Sequence, residues 1–97
     1  MIGRQEDKLR RLYETYLDKL SIAKTMRKNL ASDIEAGYGI ANVTRQMIAI
    51  EDYERTVVKE SENEYHCYRA KLNLGEKEFY ELVQKWQQQV ARFYHNF

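Results

Sequence analysis

No proline occurs anywhere in the chain, and its apolar side chains recur at alternating steps of four and three along three long stretches. Proline is the strongest breaker of regular helix, and a four–three step keeps side chains on one helical face. Together the two facts predict long, uninterrupted amphipathic helices. With 43% of residues apolar, the chain is too hydrophobic to stay disordered, and its 97 residues suit one small domain.

The first stripe is Leu9, Tyr13, Tyr16, Leu20, Ala23, Arg27, Leu30 and Ile34, with Arg27 as its one charged break. It predicts a helix over about 5–32. The second stripe (Met47, Ile50, Val57, Tyr65, Tyr68 and Leu72) is looser and is interrupted at Ser61. It predicts a helix over about 44–72, with Thr44 as N-cap and Val43 packed on Ile48. The third stripe (Phe79, Val83, Trp86, Val90, Phe93 and Phe97) is aromatic-heavy and has no fault. It predicts a helix over about 74–96, opened by Asn73 and Glu76 as a capping pair.

Short connections between three such helices imply an all-α fold, a three-helix antiparallel (up-down-up) bundle with long coiled-coil-like helices. Charge favours one neighbour pair. Residues 1–31 carry eight basic and four acidic groups, and residues 32–66 carry three basic and eight acidic. The basic first helix is therefore expected beside the acidic second, although an exposed ion pair is worth only ~0–1 kcal/mol.

Between those two helices lies SDIEAGYGIANVTRQM, residues 32–47. Its glycines permit a corner, because glycine tolerates positive φ. Ser32 with Glu35 has the spacing of a capping box, which allows a short extra helical turn at 33–40. Thr44, Arg45 and Gln46 have the chemistry to read bases at the start of a recognition helix. A helix-turn-helix, however, needs a small residue about four before its turn glycine, where this chain has Asp33 or Glu35. Glu51, Asp52 and Glu54 then follow and would repel phosphates.

Enzyme patterns fail similarly. Paired metals in helical bundles use Glu-x-x-His, but Asn63 precedes His66 by three and Arg92 precedes His95. His66 and Cys67 are adjacent and diverge by about 100° on a helix. No nucleophile motif or phosphate loop accompanies them, so neither catalysis, a metal nor a cofactor is expected. A net charge of +1, a single cysteine and no apolar run near ~20 residues argue for a cytoplasmic protein off the membrane.

Function is then expected to lie in contact with a partner. The third helix is shorter than the first two and should stop short of the Gly37 corner. That leaves Met26, Leu30, Ile34, Met47, Ile48 and Ile50 partly uncovered, with Tyr38 and Ile40 beside them. The expected role is a non-enzymatic helical protein–protein interaction module: an assembly component, an adaptor or a small inhibitor of a larger partner. Its partner is another protein or a second copy of itself, the latter along the aromatic third helix. The alternative is a small nucleic-acid-associated regulator using the basic first helix and the start of the second.

Overall fold

A computed structural model describes residues 3–95. Its elements are α1 (Gly3–Glu35), α2 (Ile40–Tyr53), a π turn (Glu54–Val58), α3 (Lys59–Lys71) and α4 (Glu76–His95). Among the described residues there is no strand. Tyr53 and Lys59 keep right-handed helical angles, so α2, the π turn and α3 form one continuous rod. The fold is thus all-α with three helical rods, in the order expected. Phe97, the last residue of the third stripe, lies outside the described residues.

The first two rods run antiparallel. From one end of α1 to the other, Lys8 sits over the Tyr68 ring, Tyr16 meets Tyr65, Arg27 binds Glu54, and Asp33 accepts a hydrogen bond from Gln46. Charge contributes less to this pairing than the composition implied. Among the described residues, the ion pair of Arg27 with Glu54 is the one that joins α1 to the second rod.

The core is concentrated at one end. Leu9, Tyr65, Phe79 and Trp86 are buried together, with Tyr13, Tyr16, Leu72, Leu74 and Val83 half-buried around them. Tyr13 packs edge-on against Tyr65 and Phe79, each at 5.1 Å between ring centres, and lies 6.4 Å from Trp86. Edge-to-face rings match the negative face of one π system to the positive edge of another. Lys85 of α4 binds Glu6, and Arg10 donates to Gln89, so α4 is fastened to the first turns of α1. Ala23, Ile50 and Val58 are buried further along, where α1 and the second rod meet without α4.

The π turn explains why the second stripe looked loose. Eight steps separate the buried Ile50 and Val58, which on a straight α-helix would leave them about 80° apart. The wider turn absorbs that excess, and Lys59 N–H donates to the carbonyl of Glu54, five residues back. Two hydroxyls assist: Thr56, within the turn, donates to the Asp52 carbonyl at 2.6 Å, and Ser61, just past it, to the Val57 carbonyl at 2.9 Å. Ser61, which interrupts the stripe, is therefore spent on backbone next to the turn.

Helix boundaries differ from expectation at both corners. After α3, Asn73 takes the left-handed φ of 55°, its N–H binds Ala70, and Leu74 N–H binds Arg69. Those two bonds are a Schellman termination, so Asn73 closes α3 and does not cap α4. Gly75 precedes α4, and its N–H donates to Glu78 Oε2 at 2.6 Å. The reciprocal acid is thus Glu78, not Glu76, and the helix begins at 76, not 74.

Tyr16 and Tyr65 carry raised pKa values, in both chiefly because burial disfavours the phenolate, with Glu62 adding to the effect on Tyr16. An unfolded tyrosine ionises near 10.0. The folded state therefore keeps its full stability below that pH and loses it as pH rises through the two raised values. Chemical denaturation across pH 9–12 should show stability falling from about pH 10, and Tyr65→Phe should flatten that slope by at most ~1.4 kcal/mol per pH unit. The π turn yields a second expectation. Deleting Arg55, which is exposed, restores a seven-residue step and should keep a cooperative melt within about 1 kcal/mol of the parent. Deleting Glu64 instead shifts every later contact of α3 and should abolish it.

Candidate interaction surface

The corner at residues 36–39 is built by backbone rules. Gly37 adopts φ 82°, its N–H binds the Ile34 carbonyl, and Tyr38 N–H binds the Asp33 carbonyl. This is again a Schellman end, at a position where a Cβ would be strained. Gly39 is extended and serves as N-cap of α2. The extra helical turn allowed at 33–40 does not form: residues 33–35 end α1, and α2 begins at once at Ile40. Ser32 and Glu35 belong to the last turn of α1, so their box has no helix start to serve. Thr44 likewise lies inside α2, four residues past its start, and neither caps it nor sets up a staple of Val43 on Ile48.

The predicted patch residues fall into three groups. Leu30, Ile34 and Met47 share a shallow groove between α1 and α2, bordered by Arg27 and Glu51; its floor is Ile50, which is buried and not partly uncovered as expected, because it faces α1. Ile34 is 54% exposed and Met47 46%. Met26 lies on the other side of Ile50, with Asn29, Gln46 and Ala49. Tyr38 and Ile40 form the tip, where Ile40 is 86% exposed. Ile48 is more than half exposed and, two residues before Ile50, points about 160° away from it. The tip follows the groove along the chain through Ile34, whose carbonyl accepts the Gly37 N–H, while Met26 and Ile48 belong to other faces.

Electrostatics give the groove a charged rim. Arg27 Nε donates to Glu54 Oε2 at 3.3 Å, and a second guanidinium N–H reaches Oε1. The hydrogen bond to Glu54, helped by the nearby carboxylate of Glu51, raises the Arg27 pKa. The charged break in the first stripe is thereby accounted for: Arg27 faces the second rod to bind the first residue of the π turn.

Two of the three base-reading side chains, Arg45 and Gln46, are engaged within the protein. Gln46 Nε2 donates to Asp33 Oδ2 at 2.7 Å and to Asn42 Oδ1 at 3.0 Å, and Arg45 Nε reaches the Ala41 carbonyl. On α1, Arg10 binds Glu14 and Lys8 covers Tyr68. His66 stacks on Tyr65 at 4.2 Å and Cys67 is exposed. Cys67 borders an open hollow between α1 and α3 whose walls mix Lys8, Lys59 and Lys71 with Glu60 and Glu64. Among the described residues, no three His, Cys, Asp or Glu side chains converge as a metal site, and no helix is long and apolar enough to cross a membrane.

A second surface lies on the third helix, the seam expected for a second copy, although its lining on α1 was not foreseen. Arg10, Tyr13, Glu14, Leu17, Val83, Trp86, Gln87 and Val90 line a groove between α1 and α4. Its sequence signal is WQQQVA, residues 86–91, six uncharged positions in the middle of an amphipathic helix. No protein-family profile, curated protein or solved structure matches the chain.

Proposed function

We propose that the chain is a non-enzymatic helical protein–protein interaction module of the cytoplasm, an adaptor, assembly component or small inhibitor that engages a larger protein through its Gly37 corner. The observation that carries this reading is the apolar tip. Ile34, Tyr38, Ile40 and Met47 are each between 46% and 86% exposed, and Tyr38 and Ile40 lie on a segment with no charge from residue 36 to 44. Interface centres are depleted of charge and bordered by polar groups, and Arg27 and Glu51 supply such a border here. A methionine on that surface adapts to the shape it meets. The alternative, a nucleic-acid-associated regulator, has thinner support, because Gln46 and several α1 cations are already engaged within the chain.

Burying one exposed isoleucine contributes ~1.5–3 kcal/mol, which corresponds to about 10–100-fold in affinity. Ile40→Glu and Met47→Glu should therefore lower recovery of a specific partner at least about tenfold in affinity capture, with unchanged melting. Variants that retain every partner of the parent would end the corner reading. A salt-sensitive gel shift with duplex DNA or RNA, lost in Arg45→Ala, would favour the alternative.

A further inference from the structure

The stripe of α4 changes character halfway along the helix. Phe79 and Trp86 are buried and Val83 is half-buried, whereas Val90 is 51% exposed and Phe93 65%. Tyr94, one position further, is 81% exposed. Residues 87–95 are all exposed, although they continue the same amphipathic helix. Beside them Leu17 of α1 is 42% exposed and forms one wall of the groove with Val83, Trp86 and Val90.

From these observations we infer that α4 is a two-fold self-association surface, its occupant the α4 of a second copy of this chain. With the helices antiparallel and Val90 on the axis, the residue four before Val90 faces the residue four after it. Tyr94 of one copy then lies across from Trp86 of the other and enters the groove between Leu17 and Val83. The contact is isologous, so one operation fills both grooves.

Area and charge both favour a second copy. The chain exposes 7558 Å², whereas a compact monomer of 11.7 kDa exposes about 5,900 Å², an excess of about 1,700 Å². A standard interface covers ~800 Å² per partner. Two aromatic rings at ~150–250 Å² each, with Val90, Leu17 and the glutamine stems, supply most of that. A two-fold axis brings each residue near its own copy, so any charge at the axis repels itself. Residues 86–91 carry none, and the flanking Lys85 and Arg10 are already matched by Glu6 and Glu14.

This inference shares with the reading above the premise of an interaction module, but it uses the opposite end of the molecule. Light scattering after size exclusion, run over a dilution series with Trp86 emission recorded on the same samples, tests it. Trp86 is the only tryptophan, so its emission should shift in step with the change from dimer to monomer. Val90→Glu places two carboxylates at the axis and should weaken the dimer on the order of 100-fold or more. Tyr94→Glu repeats the test at a more exposed position should Val90→Glu lose helicity. Ile40→Glu, at the far corner, should leave the dimer intact. A parent that is monomeric throughout overturns the inference, as does a dimer that survives both α4 variants with constant Trp86 emission. A dimer that fails at Val90, in a chain whose corner captures nothing, upholds this inference and removes the corner reading; the converse result does the opposite.

Discussion

Tyr13 is the contact on which the three-rod arrangement depends. Its ring touches Tyr65 of the second rod and Phe79 and Trp86 of the third, so one side chain of α1 joins all three. Rings suit this task because they cover much area with few rotatable bonds and because their edges and faces attract. Leu9, one turn earlier, is fully buried beneath them. Most of a helix's stability in a protein comes from packing its amphipathic face, and α4 seats Phe79, Val83 and Trp86 against this cluster. The phenolic groups of Tyr16 and Tyr65 belong to the same layer, which links alkaline unfolding to the point where the rods meet.

Concentrating the core at one end has a cost at the other. Beyond Ala23, α1 and the second rod have only each other, and the buried residues there are Ile50 and Val58. The π turn belongs to that stretch because it brings both to the same side of the rod. Arg27 and Glu54 bind across it. A two-helix rod cannot enclose a full stripe on each member, and so Leu30, Ile34 and Met47 line an open groove. The exposed corner and the crowded ring cluster are two consequences of one placement of α4.

The helices themselves were legible from their stripes, because four–three spacing is a property of the chain alone. The exposure of Ile34, Tyr38 and Ile40 was expected from a third helix too short to reach the corner, whereas α4 is instead held at the first turns of α1 by Lys85 with Glu6 and Arg10 with Gln89. The π turn was visible only as looseness: a single surplus residue between Ile50 and Val58 blurs a stripe without naming its remedy. Helix ends were misread where two local codes compete. Thr44 and Asn73 are good N-cap residues, but Gly39 already serves α2, and Asn73 also tolerates the left-handed conformation that closes α3. The separation of Met26 and Ile48 from the groove depended on where α2 begins and how it is rotated, and the late start expected at Thr44 concealed it. The α4 groove depends on Leu17 lining the same hollow as Val83 and Val90, residues more than sixty positions away, a proximity that no spacing along the chain records.

The two corners show how little the local code decides about function. Each has a left-handed residue, then an apolar one, then a glycine N-cap: Gly37, Tyr38, Gly39 and Asn73, Leu74, Gly75. Each makes the same pair of backbone bonds. Leu74 nevertheless packs into the ring cluster, while Tyr38 is 55% exposed. The difference is the third rod, which returns over one corner and never reaches the other. An apolar side chain at the position after the left-handed residue normally folds back on its own helix; at Tyr38 much of that surface remains open. A turn that is complete in its backbone bonds and unfinished in its apolar burial is already held in shape before anything binds, and the ordering entropy of that corner is largely spent in folding.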